Sequence, residues 1–143
     1  MKTVEQLLKA KGREIWSVSP RASVYAALEM MAEKDVGALL VIDDGRLAGI
    51  FSERDYARKV ILRGRASRET MVSELMTPSV FYVGPDNTLE DCMALMSAKR
   101  IRHLPVLDRD RVVGMVTLGD VVKRILSEQE FRIQELEKYV TGE

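Results

Sequence analysis

Apolar positions along this chain follow two rhythms in turn, and the pair of rhythms occurs twice. Val24, Ala27, Leu28 and Met31 repeat at helical spacing, as do Leu89, Cys92, Met93 and Met96, so each set predicts a helix with one apolar face. Ser23 and Thr88 stand at the N-cap positions, the second with Asp91 three residues on, close to a capping box. Before each helix a short strand is expected, Ile15 to Val18 and Val80 to Val83, stopped by Pro20 or Pro85, which lack an amide proton. After each helix come continuous apolar runs rich in branched residues, Ala38 to Ile42 and Leu104 to Leu107, which suit buried strands. Asp44-Gly45 and Arg109-Asp110 then mark tight turns, and the strands Leu47 to Ser52 and Val112 to Thr117 return into second helices near Glu53 and Leu118.

The two sets superpose without a gap at a shift of 65 residues, which lays Val18-Ser19-Pro20 over Val83-Gly84-Pro85 and continues to about Leu62 over Ser127. Identities include Pro20 with Pro85, Met31 with Met96, Leu39 with Leu104, Val41 with Val106, Gly49 with Gly114, and Asp55 with Asp120. The chain is a duplication of a β-α-β-β-α unit, an α+β fold. A small sheet covered by helices on one face leaves the other face bare, so two copies are expected to pack about a pseudo-twofold axis. Val4-Glu5-Gln6-Leu7-Leu8 and Val72-Ser73-Glu74-Leu75-Met76 echo each other as lead-in helices, and the polar, basic segment Gly64 to Thr70 reads as a linker. Residues 1–70 therefore form the first repeat with its lead-in and linker, and 71–143 the second. Val121 to Val140 reads as a long helix whose imperfect stripe (Ile125, Gln129, Arg132, Ile133, Leu136, Val140) suits either a partner helix or its own sheet.

Charge narrows the function. The 22 basic and 22 acidic residues cancel, so nothing global draws the chain to nucleic acid. Basic residues do cluster at Arg54, Arg58, Lys59, Arg63, Arg65 and Arg68 against Asp55 alone, while 127–143 is acidic. Such runs are either solvated helix faces or, for the first, a phosphate-facing edge. No apolar run approaches the roughly 20 residues of a membrane span, and the N-terminal residues lack a secretory pattern, which points to the cytoplasm. Cys92, on an apolar stripe, reads as a buried inert thiol.

The chemistry to consider sits where each second hairpin strand meets its helix: Gly49-Ile50-Phe51-Ser52-Glu53-Arg54-Asp55 and Gly114-Met115-Val116-Thr117-Leu118-Gly119-Asp120. A strand glycine marks a place where backbone or ligand comes close. The helix start offers free amides and a positive dipole end to a phosphate, Ser52 or Thr117 adds a hydroxyl, and Asp55 or Asp120 can accept from ribose hydroxyls. A hydroxyl residue followed three positions later by an acid is equally an ordinary N-cap, and only the repetition at equivalent positions favours a ribose-phosphate site. With one His and one Cys there is no triad, and no phosphate-binding glycine loop, dinucleotide fingerprint or metal cluster appears, so no catalytic or metal-ligating residue and no catalytic cofactor is expected.

These paired Gly-x-x-Ser/Thr-x-x-Asp endings, with Ile101-Arg102-His103-Leu104-Pro105-Val106 and the entry Met76-Thr77-Pro78, resemble the CBS-domain family, named after cystathionine beta-synthase. The resemblance covers nearly the whole chain and implies a regulatory two-repeat module that forms a homodimer. It implies clefts between the repeats that hold AMP, ADP, ATP, NAD or related adenosyl ligands. By the family pattern Asp55 and Asp120 bind ribose, Ser52 and Thr117 reach phosphate, and Arg102 and His103 approach the phosphates of the nucleotide held by the other repeat. Arg102 and His103 correspond to Gly37 and Ala38, so the clefts should differ. The Asp55 cleft, with Ser52, Arg54, Arg102 and His103, is expected to tolerate more phosphate charge, and the Asp120 cleft to take AMP or the adenosine half of a larger ligand. His103 is otherwise a strand residue satisfied by backbone. Val18, Ile50, Val83, Val106 and Met115 are the expected walls for the base. Lacking an effector domain, such a module would signal to a separate partner protein; the rival reading is a ligand-free dimerisation scaffold.

Overall fold

The computed structural model describes residues 2–61 and 67–127. Arg63 and Arg65 of the basic run, the acidic residues after Ser127 and the far half of the expected terminal helix lie outside the described residues.

Helix α1 (Val4–Lys11) opens the chain under a complete Thr3/Gln6 capping box and ends on Gly12, whose φ of 107° is a conformation that glycine adopts without strain. Strand β1 (Ser17–Val18) runs parallel to β2 (Ala38–Asp43), and β2 pairs antiparallel with β3 (Arg46–Ser52). Between β1 and β2 lies α2 (Val24–Lys34), capped by the Ser23 hydroxyl accepting from the Ala26 amide. After β3 the chain turns into α3 (Glu53–Asp55), which widens into a π-helical stretch, Tyr56–Ile61.

The second repeat follows the same course: α4 (Val72–Leu75), α5 (Leu89–Lys99) with its Thr88/Asp91 capping box, β4 (His103–Asp108), β5 (Arg111–Thr117), and α6 over 118–127. Both hairpins turn through two residues of positive φ, Asp44-Gly45 and Arg109-Asp110, the backbone twist that a two-residue hairpin favours. The strand expected over Val80 to Val83 contracts to one parallel bridge, Val83 with Val106. Pro105 explains the loss. Its counterpart Leu40 donates its amide to the Trp16 carbonyl at 3.1 Å, whereas Pro105 has no amide to give, so one rung is missing.

The lead-in helices are exchanged. Residues of α1 pack into the second core, with Val4, Leu7 and Leu8 beside Val83, Leu89, Leu104 and Val121. Those of α4 pack into the first, with Val72 and Leu75 beside Val24, Met31, Leu39 and Phe51. Backbone hydrogen bonds repeat the exchange: Val4 N to Asn87 O at 2.8 Å and Leu89 N to Lys2 O at 3.0 Å, against Val72 N to Ala22 O at 2.8 Å and Val24 N to Thr70 O at 2.8 Å. Each buried apolar side chain on these helices contributes about 1.5–3 kcal/mol. Both repeats therefore depend on a segment that belongs, in chain order, to the other.

Candidate functional site

The strand glycines serve this exchange. A Cβ at Gly49 would lie 2.8 Å from both the Met76 sulfur and the Thr77 carbonyl oxygen, and one at Gly114 would lie 2.8 Å from both methyl carbons of Leu8. The close approach inferred from sequence is real, and what approaches is a lead-in.

Beyond that contact the two corners part. In the first, Pro78 bars its predecessor from helical backbone, so α4 stops at Leu75 and Thr77 runs extended against β3. Thr77 exchanges two backbone bonds with Ile50, at 3.0 and 2.9 Å, and closes that strand edge. In the second, Leu8 is followed by Lys9-Ala10-Lys11, the helix continues, and among the described residues no lead-in backbone bonds to β5. The carbonyl of Met115, counterpart of Ile50, instead accepts from the Lys11 ammonium at 2.6 Å.

At the closed corner Asp55 is almost fully buried. Its Oδ2 accepts from the Ser52 amide at 3.0 Å and hydroxyl at 3.1 Å, and the Ser52 hydroxyl accepts from the Asp55 amide at 3.2 Å. Oδ1 lies 3.4 Å from the Thr77 hydroxyl and 3.3 Å from Lys59 Nζ. The Ser52 hydroxyl and Asp55 Oδ2 thus hold the start of α3, while Oδ1 meets Thr77 of the lead-in and Lys59. Arg54 turns to the end of α5, where Nη1 donates to the Arg100 carbonyl at 3.2 Å.

At the open corner the same box forms: the Thr117 amide donates to Asp120 Oδ2 and the Asp120 amide to the Thr117 hydroxyl, both at 3.0 Å. Lys11 Nζ also lies 2.6 Å from Oδ2, while Oδ1 takes no partner among the described residues. Burial pushes the Asp120 carboxyl upward, but the Lys11 and Thr117 bonds outweigh it and hold the group below its ordinary value.

Asp120 and Thr117 face a cavity of about 440 Å³ between the repeats, within the range of small-molecule sites. The second repeat contributes His103 and Met115 as well, and the first contributes Trp16, Val36, Gly37 and Ala38. Lys11, Gly12, Glu14 and Asp35 complete the lining. His103 stands opposite Gly37, where an added Cβ would be 3.8 Å from its ring. Burial, then the nearby Arg102 charge, lowers its pKa against an opposing pull from Asp120, so the ring is neutral near pH 7.

The structure thus gathers Thr117, Asp120, Met115 and His103 of the expected site residues into one cavity. His103 lies with Asp120, not beside Asp55, because β4 directs it across to Gly37. Ser52, Arg54 and Asp55 do not line this cavity, and Arg102 is exposed, its carbonyl accepting from the Leu118 amide at 2.9 Å. Among the expected base walls, Val83 and Val106 are buried in the second core, Val18 packs on the first, and Ile50 is paired with Thr77. Sequence reasoning missed Lys11 and Trp16. Their only sequence signals are a cation in the last turn of a lead-in helix and the chain's one tryptophan.

The CBS-domain family model matches residues 11–62 and again 72–127. A mitochondrial CBS domain-containing protein of Arabidopsis thaliana, CBSX3, is 37% identical over 150 residues, covering 98% of this chain and 72% of its own length. The solved structure of a candidate signal-transduction protein with CBS domains from Burkholderia ambifaria is 50% identical with a TM-score of 0.87, covering 90% of this chain and 96% of that one. The CBS domain pair of protein MJ0100, solved with 5′-methylthioadenosine and S-adenosyl-L-methionine, shares the fold at a TM-score of 0.78 and 24% identity, covering 90% of this chain and 98% of its own.

Proposed function

The chain belongs to the CBS-domain family as a tandem pair, a regulatory module, and we propose that it senses an adenine nucleotide (AMP, ADP, ATP or NAD) or a related adenosyl ligand in the cleft beside Asp120. The observation that carries this reading is the cavity itself, with the Thr117/Asp120 corner in one wall and Trp16 in the other. Asp120 Oδ1 is open to a ribose hydroxyl, Thr117 and the start of α6 suit a phosphate, and Trp16, Val36, Ala38 and Met115 offer apolar surface to a base. The adenosyl ligands of the MJ0100 pair support the class of ligand. On this reading the module works by binding, not turnover, as a homodimer in the cytoplasm that passes its signal to a separate effector protein.

Calorimetry with AMP, ADP, ATP, NAD and S-adenosylmethionine tests it. The expected result is one site per chain, with a change in Trp16 fluorescence and a thermal stabilisation of about 2.7 kcal/mol at a hundredfold excess over Kd. If none of the five produces heat, fluorescence change or stabilisation, the ligand-free scaffold reading replaces it. That second reading draws on the capping boxes, which already give both acids a structural task, and on exposed Phe81, Tyr82, Val122 and Leu126.

A further inference from the structure

Lys11 is the one lysine or arginine that lines the Asp120 cavity among the described residues, and it faces a lining that otherwise carries Glu14, Asp35 and Asp120. Its ammonium sits 2.6 Å from the Met115 carbonyl and 2.6 Å from Asp120 Oδ2. In the first repeat the matching strand carbonyl, that of Ile50, is served by a backbone amide of Thr77. A neutral, immovable donor there is replaced here by a compact charge on a flexible stem.

This substitution matters to any ligand that brings a vicinal diol to Asp120. Such a diol engages both carboxylate oxygens, yet Oδ2 already accepts from the Thr117 amide and from Lys11. One hydroxyl can take Oδ1; the other competes with the ammonium. A displaced ammonium needs a new anion, and a ligand with its own phosphate near Thr117 supplies one, whereas a bare nucleoside does not. Without the lysine, three carboxylates would oppose the same phosphate.

Resting on the nucleotide-binding reading, we infer that Lys11 is the specificity-determining residue of the cleft: it yields Asp120 to the ribose and transfers to the phosphate, so that the site prefers 5′-phosphorylated over unphosphorylated nucleosides. The ratio of adenosine to AMP dissociation constants, measured by calorimetry on the full chain as wild type, Lys11→Met and Lys11→Arg, tests this. Lys11→Met should weaken AMP by about tenfold, the scale of one charge-assisted hydrogen bond. It should leave adenosine unchanged or tighter, because the competitor for Asp120 is gone. Lys11→Arg should restore most of the ratio, since it keeps the charge. An unchanged ratio in Lys11→Met overturns the inference and leaves nucleotide binding standing, while a wild-type chain that binds neither compound sinks both. Should Lys11→Met fail to fold, a salt titration of the wild type decides: AMP affinity must fall with ionic strength while adenosine affinity stays level, and parallel curves refute the role of the charge.

Discussion

Ser52 to Asp55 and Thr117 to Asp120 are one motif written twice, with the same capping geometry, yet in one the acid is buried and in the other it faces a cavity. Within the four residues Arg54 reaches the Arg100 carbonyl where the second corner has Gly119, yet the larger difference lies outside them. It comes from the lead-in that crosses over from the other repeat: Pro78 ends α4 so that Thr77 bridges the edge of β3 at Ile50, whereas α1 runs on to Lys11 and leaves the edge of β5 to a side chain. A binding motif in a duplicated fold is therefore only as available as its neighbouring edge.

Exchanging the two acids for alanine should break the corners in opposite ways. Asp55→Ala strips a buried cap and leaves Lys59 without its carboxylate, and should lower folding stability by about 3 kcal/mol with nucleotide affinity within about twofold of wild type. Asp120→Ala should lower stability by only about 1 kcal/mol while weakening nucleotide binding by about 10- to 150-fold. Urea unfolding and calorimetry on both variants read the two effects, and equal loss of binding from both would erase the distinction between the corners.

The glycines sharpen the same contrast at a smaller scale. Gly49→Ala meets a backbone carbonyl that is itself bonded to Ile50 and should destabilise by about 3 kcal/mol; Gly114→Ala meets only the end of Leu8 and should cost about 1 kcal/mol. Chemical denaturation of both variants in parallel measures the gap, and the reverse order would show that β5 is the more tightly covered edge.

The smallest effect is a pH dependence confined to the second repeat. His103 has its pKa lowered in the folded chain, so unfolding binds a proton and its contribution to stability is complete above about pH 6.5 and is lost as pH falls through the lower folded value. Ala38, its counterpart, cannot titrate. Urea midpoints from pH 8 to 5 should fall more steeply for wild type than for His103→Gln, and identical slopes would remove His103 from the account.

The duplication, the strand-to-helix corners, both two-residue hairpin turns and the N-caps at Ser23 and Thr88 were legible because each is local: periodicity, glycine and hydroxyl positions specify them within a few residues, whereas at Ser52 and Thr117 the same local pattern suits a cap and a phosphate contact alike. The partners of α1 were not, since an amphipathic stripe such as Val4, Leu7 and Leu8 says that a face will be buried without saying in which core. Lys11 escaped for the same reason, since it continues the stripe of Val4, Leu7 and Leu8 toward a core that stripe does not name, and Trp16 lies between the lead-in and a two-residue strand, where no periodicity assigns a direction. Val83 and Val106 were read as walls because branched residues suit a slot and a core alike; only the packing of α1 over them decides between the two.

The crossing of the lead-ins also sets an order of assembly. During synthesis α1 emerges ahead of its seat, which is built from Val83, Leu89, Leu104 and Val121, so it must wait for both repeats before it can dock. The first core waits in turn for Val72 and Leu75. A nascent chain halted in the linker would expose the apolar faces of both, and neither half, cut free at that point, would carry what it needs to close itself.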